Sequence, residues 1–180
     1  MDLSLFKLLR LSDSHNILPF DCGDADLNDF IANDAKDYIK KLLAVTYLLE
    51  DGGITAAFFC VSNDKIAIED MDSNTQWWKR IGGSMPERKR YKSYPAVKIG
   101  RLAVDTSMQG RKLGTTLLDY IKEFFITNNK TGCMFITVDA YQQSLKFYEQ
   151  NGFKYLCPKK EEERNATTKL MYYDLRELTP

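Results

Sequence analysis

The sequence predicts an α+β fold in one domain, and three observations carry that expectation. β-rich runs recur along the chain, and two of them flank a Gly-Gly turn. Two long segments carry apolar residues at helical spacing. The elements come in the order strand, helix, two strands, an irregular insertion, then strand, helix, strand, helix, strand, strand. At 180 residues the chain suits one domain with a sizeable core. A hydrophobic content of 44% with 12% aromatics argues for a globular fold rather than disorder. Lys plus Arg and Asp plus Glu stand at 25 each, so no global attraction to nucleic acid or membrane is implied. No apolar run approaches the roughly 18 residues a membrane span needs, and the start lacks a signal-peptide apolar region.

Leu3 to Leu11 reads as a first strand, followed by a polar turn that holds His15. A loop histidine more often faces solvent than does chemistry. A helix is expected from about Asp24 to Leu43, with Asp24, Asp26 and Asp29 near its start, where they cap and complement the dipole. Ala44 to Leu49 and Ile54 to Val61 are strands joined at Glu50-Asp51-Gly52-Gly53, a hairpin signal. From about 62 to 94 the periodicity is poor, and the stretch reads as an insertion with short helices near Ile66–Asp70 and Thr75–Ile81. It carries Trp77, Trp78, Lys79 and Arg80, then Arg88, Lys89, Arg90, Tyr91 and Lys92. Aromatics among cations suit nucleic acid, but two packed tryptophans and a solvated charged loop are the blander and favoured account.

Ala96 to Val104 is a strand, and Arg111 to Asn128 a helix with Leu113, Leu117, Leu118, Ile121, Phe124 and Phe125 on one stripe. Cys133 to Val138 is a strand. Asp139 to Asn151 is a helix closed by Asn151-Gly152. Phe153 to Leu156 and Thr167 to Leu175 are the last strands, around a charged loop at 158–166. Cys22, Cys60, Cys133 and Cys157 form no Cys-x-x-Cys pair, and with His15 as the single histidine they argue against a metal site. They read as free thiols in a reducing cytoplasm.

Between the strand ending at Val104 and the helix from 111 lie Gln109, Gly110 and Gly114. A helix opening in such a turn presents unpaired amides, and its dipole favours an anion, so this is a seat for a phosphate or pyrophosphate. Neither the Walker lysine nor the three-glycine dinucleotide pattern is present. Gln109-Gly110-Arg111-Lys112-Leu113-Gly114 instead resembles the acyl-CoA loop of the GNAT acetyltransferases, Gln/Arg-x-x-Gly-x-Gly/Ala. Arg101-Leu102-Ala103-Val104-Asp105 is similar to that family's preceding strand. Lys112 stands where the family has its middle glycine; a positive φ there would cost roughly 1 kcal/mol. About thirty residues on, Ser144-Leu145-Lys146-Phe147-Tyr148-Glu149-Gln150-Asn151-Gly152-Phe153 resembles the family's Ala-x-x-Phe/Leu-Tyr-Glu-x-x-Gly-Phe. Tyr141 replaces an asparagine common in the family. Phe20-Asp21-Cys22-Gly23 with Leu27, Phe30 and Ile31, together with Met85-Pro86, looks like the acetyltransferase toxins of toxin–antitoxin pairs.

The resemblance implies a three-layer α/β/α arrangement and a mixed, mostly antiparallel sheet splayed at the CoA-binding strand. It implies acetyl-CoA as co-substrate, its pyrophosphate on amides of Gln109, Gly110, Arg111, Lys112, Leu113, Gly114 and Thr115. The pantetheine arm would pair with Leu102, Ala103 and Val104. A primary amine, on a small molecule or peptide, would attack the thioester directly in a ternary complex. The leaving thiolate would take the Tyr148 proton, since a phenol with a pKa of about 10 is protonated at neutral pH. Glu69 and Asp70 lie where the family often supplies a base. An α-amine, at about 7.7–8.0, needs less help than a lysine-like amine at about 10.4. Alternatives are a toxin that acetylates aminoacyl-tRNA, against which the neutral net charge weighs, and a non-catalytic acyl-CoA-binding module. An antitoxin and a homodimer are the partners that the resemblance implies.

Overall fold

The computed structural model describes residues 3–82, 85–86, 88, 90–127, 131–156 and 167–179. Its strands are β1 (Lys7–Arg10), β2 (Val45–Glu50), β3 (Thr55–Ala67), β4 (Ser93–Val104), β5 (Phe135–Tyr141), β6 (Lys154–Tyr155) and β7 (Thr168–Asp174). They hydrogen-bond in the order β1-β2-β3-β4-β5-β7-β6, one mixed sheet of seven strands. Its helices are α1 (Ala25–Asp29), α2 (Ala35–Lys40), α3 (Asn74–Trp77), α4 (Leu113–Ile126) and α5 (Leu145–Gln150). Contacts divide the chain into two compact units, Met1–Ser62 with Ile99–Phe124, and Asn63–Lys98 with Phe125–Pro180.

In the first unit, β1 and β2 pair antiparallel, as do β2 and β3. The hairpin turn forms as expected: the Gly53 and Ile54 amides donate to Asp51 Oδ1, and Gly52 takes the φ of 94° that glycine tolerates. Leu11, Phe30, Ile31, Ala35, Leu48, Phe58, Cys60 and Ala103 make the core of this unit. The first strand is shorter than expected, because Leu3–Leu5 is a 3-10 turn. The helix expected over 24–43 is segmented. Asp24 caps α1 by accepting from the Leu27 amide, and Phe30–Asp34 then widens into a π-helical turn in which Ala35 N–H reaches Phe30 O. That wider turn buries the adjacent Phe30 and Ile31 together. Beyond α2, the Leu43 amide donates to Tyr38 O and the Leu42 amide to Ile39 O, a Schellman closure. Leu42 occupies the glycine position of that closure, with φ at 56°.

In the second unit, β5 and β7 pair antiparallel along their whole lengths, and β6 pairs with β7. Ile66, Met71, Trp77, Ile81, Tyr94, Ala96, Phe135, Leu156 and Tyr172 form its core. Residues 62–67, expected within the insertion, continue β3. After them come a 3-10 turn at Ile68–Asp70 and α3, which passes into a π-helical turn at Trp78–Gly82. Residues 139–141, expected in a helix, extend β5 because Asp139, Ala140 and Tyr141 pair with Leu170, Lys169 and Thr168. The parallel β4–β5 ladder covers Ala96↔Phe135 to Lys98↔Thr137, while β4 runs on to Val104 and β5 to Tyr141. The charged loop at 158–166 and Cys157 lie outside the described residues.

Candidate active site

The turn between β4 and α4 is built from hydrogen bonds that its own sequence supplies. Asp105, at the end of β4 and 7% exposed, accepts from the Ser107 amide and hydroxyl through Oδ1 and from the Asp21 amide through Oδ2. Burial pushes this carboxyl up, but the Ser107 hydroxyl and the Asp21 and Ser107 amides outweigh it and hold it below the ordinary carboxylate range. Asp21 in turn accepts from the Gly23 amide and the Asn28 side chain, and its carboxyl is lowered by those bonds. The Asp105 amide reaches Ala56 O and the Thr106 amide reaches Asp21 O. The turn is thereby tied to β3 and to the 21–28 loop within one unit.

Gln109 corrects an expectation. Its side-chain nitrogen donates to Cys22 O and Val104 O, both at 3.0 Å, and its backbone amide donates to Asp105 O at 3.1 Å. Both nitrogens are used inside the protein, which leaves Gly110 as the first residue of the turn whose amide is not spent in this way. Gly110 has φ at 75° and Lys112 has φ at 62°, on either side of Arg111. Left-handed residues so placed turn successive amides into an anion-holding concavity. Lys112, where glycine was expected, therefore carries the backbone cost. The Thr116 amide bonds Lys112 O at 3.1 Å, so Leu113, Gly114 and Thr115 are the helix-opening residues whose amides lack an intrahelical carbonyl. A Cβ built on Gly110 meets nothing within 4 Å, and Arg111 and Lys112 are exposed. An open, amide-lined, cationic turn is a donor set that fits a diphosphate. Leu102 and Val104 are half-buried in β4 and Ala103 is buried in the core of the first unit.

Tyr148 belongs to the second unit. It is set by the end of α5, where Phe153 N–H donates to Tyr148 O and Gly152 N–H to Glu149 O, with Gly152 at φ 84°. This is a Schellman closure, and its customary apolar contact is the edge-on pairing of the Tyr148 and Phe153 rings at 5.2 Å. The Asn151 side chain braces the same turn by donating to Phe147 O at 2.7 Å. The Asn-Gly-Phe signature is thus a device for fixing this tyrosine. Burial pushes the Tyr148 phenol well above its ordinary value.

The remaining candidates divide. Asp70 accepts from the Ala67 amide at 2.7 Å and closes a turn, while Glu69 is exposed. His15 pairs with the buried Glu50 at 2.7 Å. Trp77 is wholly buried, which favours the blander account of the tryptophans. Arg90 lies over the Trp78 ring at 5.5 Å, and Lys79, Arg80, Arg88 and Lys92 are exposed; Lys89 lies outside the described residues. Among the described residues Cys22, Cys60 and Cys133 are free thiols, and no cluster of side chains suits a metal ion. No helix of the described residues is long and apolar enough to cross a membrane. The bonds of Asp105 were missed by sequence reasoning, although Asp-x-Ser after a strand is a signal for such a turn.

A family model described as an acetyltransferase (GNAT) domain matches residues 75–171. A "tRNA-acetylating toxin" of Mycobacterium tuberculosis (strain ATCC 25618 / H37Rv) is 26% identical over 148 residues, covering 81% of this chain and 82% of that one. Among solved structures, AtaT complexed with acetyl-methionyl-tRNAfMet superposes with a TM-score of 0.75 at 20% identity, over 96% of both chains. A tyrosine-to-phenylalanine variant of AtaT, bound to acetyl-CoA and the C-terminus of the antitoxin AtaR, has a TM-score of 0.70 at 18% identity, over 96% of this chain and 95% of that one. At such identities the superpositions establish the shared fold.

Proposed function

This chain belongs to the GNAT acetyltransferase family, and from that premise we propose that it moves the acetyl group of acetyl-CoA to the α-amine of an aminoacyl-tRNA. The observation that carries the acceptor is the match along 81% of the chain to a tRNA-acetylating toxin. It favours an RNA-borne amine over the small-molecule or peptide amine that the resemblance alone suggested. The chemistry agrees. An α-amine with a pKa of about 7.7–8.0 is substantially neutral near pH 7.5, whereas a lysine-like amine is not. Asp70, one of the acids considered as a base, is spent on a turn. The neutral net charge is no obstacle, because phosphate contacts need only local cations, and Lys79, Arg80, Arg88 and Lys92 are exposed.

In this reading the amides from Gly110 to Thr115 hold the diphosphate of acetyl-CoA. The edge of β4 at Leu102, Ala103 and Val104 takes the pantetheine amides as an added strand would. The amine attacks the thioester carbonyl without an acyl-enzyme. Tyr148 keeps its proton through the neutral range and gives it to the leaving thiolate. Single tyrosine-to-phenylalanine substitution of a related toxin, AtaT, is the same change that would test Tyr148 here. An antitoxin is the natural protein partner, as AtaR is for AtaT. Thiol release from acetyl-CoA, followed across aminoacyl-tRNA, uncharged tRNA and a panel of small amines, tests the acceptor. Release with aminoacyl-tRNA alone supports the reading; release only with small amines overturns it.

A further inference from the structure

On the second unit, a cleft of about 540 Å³ is lined by Arg80, Glu149, Phe153, Lys154, Tyr155 and Tyr172. That volume lies in the range of roughly 300–1,000 Å³ typical of small-ligand sites. Its walls combine two cations with three aromatic rings. The Arg80 side chain donates to Leu156 O at 3.4 Å, which holds it beside β6, and Lys154 lies on β6 in register with Tyr172 on β7. Burial pushes the Tyr172 phenol up, Lys154 and Arg80 act against that push, and Asp174 and Glu177 add to it. The two charges therefore converge on one side of the cleft. Tyr155, half-buried, has the Lys169 ammonium 5.7 Å from its ring centroid. Phe153, a buried member of the lining, is the ring that packs on Tyr148. Glu149, an exposed member of the lining, follows Tyr148 directly in α5.

We propose that this cleft is a subsite for a single-stranded RNA nucleotide, its phosphate on Arg80 and Lys154 and its base on the Tyr155 ring. The inference rests on the reading that the acetyl acceptor is carried by RNA. The chemistry is that of strand-binding grooves, in which cations follow the backbone and aromatic faces carry bases. Glu149 supplies a hydrogen-bond acceptor suited to the exocyclic amine of cytosine or adenine. Lys154 is paired with Glu177 at 2.6 Å, an exposed ion pair that a phosphate on Lys154 displaces or shares, whereas a purely apolar ligand would cover Arg80 without offering it an acceptor.

The test is fluorescence anisotropy with a labelled RNA hexanucleotide, across a salt series, on the full chain. Arg80→Gln and Lys154→Gln are expected each to weaken binding several-fold and to reduce the slope of log affinity against log salt by about one. Tyr155→Ala is expected to weaken binding by about tenfold or more, and Tyr155→Phe to restore most of it, since stacking needs the ring and not the hydroxyl. Unchanged affinity and slope in the Arg80 and Lys154 variants overturn the proposal, as does loss in Tyr155→Phe equal to that in Tyr155→Ala. Acetylation of aminoacyl-tRNA by the wild-type chain is measured in parallel. If it proceeds while the cleft variants bind RNA normally, the subsite fails and the acceptor reading stands. If it does not proceed, the acceptor reading fails and the subsite goes with it.

Discussion

The backbone amide of Asp21 donates to Asp105 Oδ2 at 2.9 Å, joining two turns 84 positions apart in sequence. With the Gln109 side chain on Cys22 O, this bond clamps the 21–28 loop against the turn between β4 and α4. The loop proposed to hold a diphosphate is therefore a tertiary construction and not a local one.

Asp105→Ala should destabilise the protein by about 1–3 kcal/mol, because it removes the buried carboxylate shared by three part-buried hydrogen bonds of the turn. It should also weaken acetyl-CoA binding in calorimetry. The pH dependence has a definite sign. The folded Asp105 carboxyl is held below its unfolded value, so its contribution is present above about pH 4 and is lost as pH falls through the lower folded value. Urea denaturation between pH 6 and pH 2.5 should show this component in the wild type, and Asp105→Asn should lack it.

Lys112→Gly should stabilise the chain. Lys112 sits at φ 62° without the freedom of glycine, and relief of that strain is worth about 1 kcal/mol. A rise in the thermal midpoint of about 2–4 °C is the expected readout. An unchanged or lower midpoint would mean that the ammonium has a compensating partner when the protein is free of ligand.

Tyr148→Phe should lower turnover by about tenfold or more, with acetyl-CoA affinity nearly kept. Burial holds the phenol well above its ordinary value, so wild-type turnover should show no alkaline fall from Tyr148 ionisation up to about pH 10. A stopped-flow pH profile of both proteins checks this. A fall in the wild type near pH 9 that disappears in Tyr148→Phe would contradict it.

Trp77→Ala should destabilise by about 3–5 kcal/mol, as expected for a wholly buried ring stacked on Tyr94 at 5.7 Å. Normal stability with lost RNA binding would return Trp77 to a recognition role.

Much of this was legible in the sequence where a local rule acts alone. Asp24 as a cap, the Asp51-Gly52-Gly53 turn and the Gly152 closure each stand where residue chemistry put them. The failures are places where tertiary contacts outweigh local pattern. Asn63, Asp64 and Lys65 broke the apolar run, yet the ladder carries β3 through them. Residues 139–141 looked helical until β7 paired with them. Leu42 takes a left-handed conformation that favours glycine and so disguised the end of α2. Of the proposed site, the loop and Tyr148 stand out in the sequence as motifs. The double engagement of Gln109 does not, because its partner Cys22 lies 87 positions away.

Acetyl transfer to an aminoacyl-tRNA leaves a product that can be isolated and weighed. It is tested most directly by incubating the protein with acetyl-CoA and a charged tRNA pool, releasing the amino acids by mild base, and weighing them by mass spectrometry. The account predicts N-acetylated amino acids that are absent without acetyl-CoA and strongly reduced with Tyr148→Phe. Unmodified amino acids, from a preparation that releases thiol with small amines, would contradict it.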